Sequence, residues 1–355
     1  MKTIITLNYI KNLGILALIA LASATSFAQD AEATEESKPK FSFSGSVDAY
    51  YRTNIGAPND GDAIAPGSSF ANLNGFALGM ANVIASYEGE KVGFVADLVF
   101  GPRGTDAIFA SPMYSATGNV VNQLYAYWNV SDKVKLTMGN FNTFLGYEVI
   151  SPVANFNYST SYLFSYGPFS HTGIKADFAF TDDFSMMLAV MNPTDLTEFN
   201  PTSNYAYGVQ LGYAGQYLNY LYSGGGSEID YTGGFDISDS FFLGLNGAYY
   251  DNGDADVDFA GVALYPQLKT SDTFSIGLRG EYFTETNLGA IGAIADADGK
   301  ASVVAVTLTG SATIGDLIIK PELRLDSASE DQFIKADGTP VGGLTSFVLA
   351  AIYSF

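Results

Sequence analysis

The 355-residue chain is acidic, with a formal net charge of −21, yet only 15% of its residues are charged, while glycine (38), tyrosine (23) and phenylalanine (26) are abundant. It has no cysteine, which excludes disulfides, thiolate nucleophiles and thiolate metal sites. A secreted soluble domain normally carries more charge, and no apolar run beyond the N-terminal region is long enough for a membrane-spanning helix.

Lys2 and Lys11 precede the apolar run Leu13–Ala22, and Ser26-Phe27-Ala28 supplies the small residues a signal peptidase needs. Residues 1–28 therefore read as a secretory signal, cleaved after Ala28 and too short to span a bilayer. Without a cysteine beside the cut, a lipid-anchored product is excluded. Residues 29–40, with Asp30, Glu32, Glu35 and Glu36, read as a flexible acidic tail on the periplasmic side.

From Phe41 a period-two alternation begins. Phe41, Phe43, Val47, Ala49 and Tyr51 fall on one face, with Ser42, Ser44, Ser46, Asp48 and Tyr50 on the other. The pattern recurs near residues 92–101, 133–138, 174–180 and 274–281. It is clearest at Leu317, Ile319, Pro321, Leu323 and Leu325 against Lys320, Glu322, Arg324 and Asp326. Half-apolar strands have this signature, in a soluble sandwich as in a membrane barrel.

The connections separate the two. Short turns fall at 88–91, 131–132, 181–183, 214–216, 238–239, 271–272 and 315–316. Longer Gly/Asp/Asn/Pro-rich connections fall between them, near 53–73, 102–118, 142–171, 192–203, 223–228, 251–257, 286–301 and 327–344. Such alternation predicts an all-β, transmembrane, antiparallel up-and-down β-barrel over residues 41–355, with about sixteen strands and both termini periplasmic. The count falls to about fourteen if the less regular stretches 76–87, 205–213 and 257–268 are not strands. A sixteen-strand barrel is too wide for side chains to fill, which predicts an aqueous lumen.

The last strand carries Phe347, Leu349, Ala351, Tyr353 and Phe355 on one face. A terminus ending on an aromatic resembles the C-terminal signal that bacterial barrel-assembly machinery recognises. Tyr353 and Phe355 are accordingly the assembly residues.

The connection 142–171 is the longest, and its aromatic density suits a loop folded into the lumen as a constriction. Its stretches Gly146-Tyr147-Glu148-Val149, Asn155–Ser159, Tyr162-Leu163-Phe164 and Pro168–Gly173 resemble the signature of the OmpL-like β-barrel porin-2 family. The resemblance implies a bacterial outer-membrane porin. Many members carry a basic residue between Ser159 and Ser161, where this chain has Thr160. Tyr147, Glu148, Asn155, Asn157, Tyr158 and His171 are the candidate constriction residues. Candidate lumen-wall charges are Lys135, Lys175, Arg279, Glu281, Lys320, Glu322 and Arg324.

Catalysis and metal binding find little support. His171 is the only histidine, so a typical zinc site has no second imidazole. A hydrolase centred on it needs a serine within reach, and spacing selects neither Ser159 nor Ser170. Asp251, Asp254, Asp256 and Asp258, like Asp296 and Asp298, read as solvated loop, because the bidentate glutamate of a calcium loop is missing. No cofactor is expected.

The acidic balance says little about selectivity, which is set at a constriction. The expected function is a passive channel for small hydrophilic solutes rather than an enzyme. A phospholipase-like barrel enzyme and a plugged structural or adhesive barrel are the alternatives. Expected partners are outer-membrane lipid and lipopolysaccharide, the assembly machinery and, in a homo-oligomer, further copies of the chain, but no nucleic acid.

Overall fold

The computed structural model describes residues 40–108, 120–253 and 255–355. The signal segment, the tail up to residue 39, part of the second long connection and Asp254 lie outside the described residues. The strands are β1 (Lys40–Ile55), β2 (Gly75–Glu88), β3 (Val92–Phe100), β4 (Val121–Ser131), β5 (Val134–Asn142), β6 (Ser170–Ala179), β7 (Phe184–Met191) and β8 (Ala206–Tyr213). They continue with β9 (Gln216–Ser223), β10 (Gly226–Ser238), β11 (Phe241–Asn252), β12 (Val257–Lys269), β13 (Phe274–Thr286), β14 (Lys300–Ile314) and β15 (Leu317–Ala328). A small hairpin, β16 (Phe333–Ile334) and β17 (Pro340–Val341), precedes the final strand β18 (Gly343–Ser354).

β1–β15 and β18 form one closed antiparallel barrel of sixteen strands, each paired with its neighbours in sequence apart from the hairpin. The less regular stretches form β2, β8 and β12, so the count of fourteen falls. Closure pairs β1 with β18 from Ser46↔Ser354 to Ile55↔Thr345. The backbones of Gly45 and Phe355 exchange two hydrogen bonds of 3.0 Å there. A closed sheet has no free edge, which removes the main hazard of so many strands.

The alternation read from the sequence becomes the two faces of the wall. On β1, Ser46, Asp48, Tyr50, Arg52 and Asn54 are buried inside, while Phe41, Phe43 and Val47 are exposed outside. On β15, Lys320, Glu322, Arg324 and Asp326 are buried, with Pro321 and Leu325 exposed. The apolar side chains therefore face outward, as Phe76, Leu78, Trp128, Met138 and Ile314 do. Water cannot solvate so continuous an apolar belt, and lipid can.

The seven short turns stand where the sequence places them, all at the end that also holds both ends of the described chain. The opposite end departs from expectation in two places. The connection read as 223–228 is only Gly224-Gly225, and the one read as 251–257 spans 253–256. Gly224 and Gly225 both take positive φ (62° and 92°), the backbone of a two-residue hairpin, so a glycine-rich stretch that reads as loop is a tight turn. Strand length is uneven: β10–β15, β18, β1 and β2 have 12–16 residues, and β3–β9 have 8–11. The taller side of the wall carries the charged groups that meet the inserted loop.

Candidate functional site

The connection between β5 and β6, Thr143–Phe169, folds into the lumen and runs around the inner wall. Its path follows missing side chains. Phe144 lies over Gly208, Tyr147 over Gly244, Leu163 over Gly261 and Phe156 over Gly277. A Cβ on any of these four glycines would approach the loop side chain to between 2.4 and 2.8 Å, so their role is close approach. Tyr147 also stacks on Tyr265 at 4.2 Å. The bend at Gly146, with φ of 82°, places its N–H 3.0 Å from the Asp230 carboxylate on β10.

An irregular segment inside a barrel must satisfy its backbone without a ladder, since an unpaired buried polar group is costly. The wall supplies the partners as charges. Glu322 accepts from the N–H groups of Tyr158 and Ser159 (2.8 and 3.1 Å), and Glu281 from those of Tyr162 and Leu163 (3.0 and 2.8 Å). The second pair opens a short helix, Tyr162–Tyr166, whose N-cap Ser161 accepts from Phe164 N–H at 3.0 Å. A carboxylate there meets donors the helix itself leaves unbonded.

Cations take the carbonyls. Lys320 Nζ donates to the carbonyl oxygens of Pro152 and Asn155 (2.9 and 2.5 Å). Arg324 donates to that of Thr160 (2.9 Å), and Arg279 to that of Ser159 (2.6 Å). Arg103, from a short helix Pro102–Ala107 in the second long connection, donates to the carbonyls of Ile150 and Tyr158 (2.8 and 3.1 Å). Charge-assisted bonds of this kind are roughly twice as strong as neutral ones. Two ion pairs complete the network: Arg279–Glu148 at 2.7 Å and Arg324–Asp326 at 2.8 Å, all four side chains buried.

Of the residues named from the sequence, Tyr147 is half-buried and lines the lumen, whereas Glu148, Asn155, Asn157, Tyr158 and His171 are buried. Glu148 is committed to Arg279 and to Ser161, whose N–H and hydroxyl donate at 2.7 and 2.6 Å. Asn157 donates to Thr309 Oγ1 (2.7 Å), Asn155 bonds both ways with the Val149 backbone, and Tyr158 Oη donates to Asp48 (2.5 Å). Val149 and Phe156, half-buried on the loop and passed over by sequence reasoning, line the same cavity as Tyr147.

His171 lies on β6, behind the loop. Its Nε2 bonds Thr143 Oγ1 at 3.0 Å and its ring packs 5.2 Å from Phe144. Ser159 Oγ accepts from Arg279 (3.3 Å) and Ser170 Oγ bonds Thr197 (3.4 Å), so neither serine proposed from sequence joins His171.

The wall charges divide into two sets. Arg279, Glu281, Lys320, Glu322 and Arg324 grip the loop. Lys135 and Lys175, on the opposite, shorter side, remain partly exposed: Lys135 over the Tyr127 ring at 5.0 Å, Lys175 paired with Asp177 at 3.2 Å. At the short-turn end, Tyr353 is exposed on the outer face and Phe355 lies 6.1 Å from Phe43. The sequence placed Asp48 and Asp326 on the polar strand faces but gave them no contact with the loop, and Arg103 and the inward glycines were not singled out. The one available signal was glycine at strand positions where the alternation calls for a lumen-facing side chain.

The Asp296 turn caps itself, its carboxylate accepting from the N–H groups of Asp298 and Lys300 (2.9 and 2.8 Å).

The sequence model of the family described as "Putative beta-barrel porin-2, OmpL-like" matches residues 40–355. No match to a curated protein was found. Among solved structures the chain is similar to the outer membrane channel DcaP of Acinetobacter baumannii, with a TM-score of 0.58 and 12% identity over 90% of this chain and 99% of that one. It is also similar to an anion-selective porin from Comamonas acidovorans (TM-score 0.56, 10% identity, 90% and 100% covered). In-vitro folded OmpT of Vibrio cholerae gives a TM-score of 0.55 at 12% identity, covering 92% and 100%. At these identities the likeness is one of fold.

Proposed function

The chain belongs to the OmpL-like β-barrel porin-2 family of the outer membrane, and from that membership we infer a passive aqueous channel for small hydrophilic solutes whose width is set by the inserted loop Thr143–Phe169. The observation that carries this reading is the loop's anchorage: wall carboxylates and cations hold its backbone inside a barrel too wide to be filled by wall side chains alone. Tyr147, Val149 and Phe156 line the constriction. The buried Glu148, Asn155, Asn157, Tyr158 and His171 support it from behind.

The protein acts without catalysis or cofactor. In support, His171 is held by Thr143 while Ser159 and Ser170 are engaged elsewhere. Residues 1–28 direct export, the acidic stretch read as 29–40 leads into the barrel from the periplasmic side, with Lys40 already in β1, and the short turns and both termini face the periplasm. The exposed apolar belt meets lipid and, in the outer leaflet, lipopolysaccharide. Tyr353 and Phe355 present the terminus to the assembly machinery. Self-association is consistent with the fold, since one form of the similar OmpT is a trimer.

Reconstitution in a planar bilayer tests the reading. Discrete ohmic current steps support it, and a folded, inserted barrel that passes no current refutes it.

A further inference from the structure

Between the inserted loop and the short-turn end, the lumen opens into a cavity of about 1100 Å³. Tyr147 and Phe156 reach it from the loop, and Tyr217 and Phe242 from β9 and β11. The planar amides of Gln210 and Gln267 stand among these rings. Gln210 spends its nitrogen on the Phe144 carbonyl (3.2 Å) and Asn219 (2.8 Å), and Gln267 donates to Tyr147 Oη at 3.4 Å.

The cavity is nearly free of uncommitted charge. Among the described residues, three ionisable carboxylate or amine side chains line it: Glu148, Lys320 and Asp236. Glu148 is held by Arg279 and Ser161, and Lys320 by two loop carbonyls. Asp236 is exposed, close to the short turn between β10 and β11. Away from Asp236 at the short-turn rim, a bare ion entering this space exchanges its hydration for walls whose charges are already paired, which is unfavourable.

Ring faces and amides suit a different solute. Aromatic faces combine apolar area with a negative quadrupole and so attract the C–H-rich faces of saturated rings. Amide groups accept from and donate to hydroxyls at the ring edge. The volume, about 1100 Å³, is slightly above the range of about 300–1,000 Å³ usual for small-molecule sites.

We propose that this cavity is a binding subsite for uncharged, ring-shaped polyols, that is, mono- to trisaccharides. The proposal rests on the channel reading above and adds a solute class to it. Binding of the solute under the constriction raises its local concentration at the narrowest point, and shallow affinity lets it leave.

The test uses the full folded barrel. Maltose and maltotriose are titrated calorimetrically into detergent-solubilised protein, and separately added to single channels in a bilayer. Both sugars should bind in the millimolar range and interrupt the ion current. Tyr217→Ala and Phe242→Ala alter wall rings outside the loop's anchorage, and each should weaken maltotriose binding by about tenfold, or about 1.4 kcal/mol. Phe242→Leu keeps bulk without a ring face and should weaken it similarly, which covers the case where alanine disturbs folding.

Glucose 6-phosphate should bind more weakly than maltose. Tighter binding of the phosphate, or ring variants that bind like wild type, would overturn the solute class. Ion current with neither heat nor block from maltotriose at tens of millimolar overturns the subsite and spares the channel. Sugar binding without any ion current upholds the subsite and overturns the channel.

Discussion

Replacing Glu148 by glutamine tests whether this carboxylate is a pore charge or a clamp. Its 2.7 Å pair with Arg279 is buried on both sides, and Ser161 donates to it twice. Removing one partner of a buried ion pair costs about 3–5 kcal/mol, because the remaining charge loses its compensation. At the low end, with 1.4 kcal/mol per factor of ten, local detachment of the loop near residue 148 rises roughly a hundredfold. The other anchors at Glu281, Glu322, Lys320 and Arg324 keep the loop inside the barrel, so the barrel should still assemble. Single-channel recordings should then show added flicker and brief larger conductance levels. The double variant Glu148→Gln/Arg279→Gln removes both charges and should recover much of the quiet baseline, giving a coupling the double-mutant cycle can read. A clean shift in ion selectivity, with unchanged noise and step size, would refute this account and place the carboxylate in the open passage.

Leu323→Arg should impair insertion, since arginine on the lipid face near mid-membrane costs roughly 2–4 kcal/mol. Arg324→Leu should insert but loosen the loop, because Asp326 and the Thr160 carbonyl lose their partner. Membrane fractionation and conductance together check the pair, and the reverse order of phenotypes would mean a register slip. Deleting Phe355 removes the residue whose backbone closes on Gly45, and the protein should fail to reach the outer membrane in heat-modifiable form; normal levels would refute the role of this terminus. Asp195, in the connection between β7 and β8, accepts from Phe169 and Ser170 N–H, both at 2.9 Å, while burial outweighs those bonds and pushes its carboxyl up to about 6. Its folded form therefore holds a proton more tightly than its unfolded form, so its contribution to stability is full below pH 4 and lost as pH rises through 6. Asp195→Asn should flatten that part of the pH dependence of thermal migration between pH 4 and 7, and an unchanged profile would refute it.

The barrel was legible because its rules are local. Alternation of the kind seen at Leu323, Arg324 and Leu325 states which side faces lipid, and the acidic short turns state where the chain reverses. Gly224-Gly225 defeated that reading, since composition alone does not distinguish a two-residue turn from a longer glycine-rich loop. The inserted loop was legible from its aromatic content, but its partners were not. Glu148 meets Arg279 across 131 residues of sequence, and Tyr158 meets Glu322 across 164. Which wall charge grips which amide depends on barrel closure and register, which no local pattern encodes. The glycines opposite Phe144, Tyr147, Phe156 and Leu163 read as weak strand positions until the loop is seen lying over them.

The most direct test of a loop-set channel is single-channel conductance of the full chain beside a variant lacking residues 150–165. Removing that segment frees Lys320, Glu322 and Arg324 from their loop partners into a wider, hydrated lumen. The intact protein should give small, steady steps and the deletion clearly larger ones, with both barrels folded. Equal conductance in the two would contradict a loop-set channel.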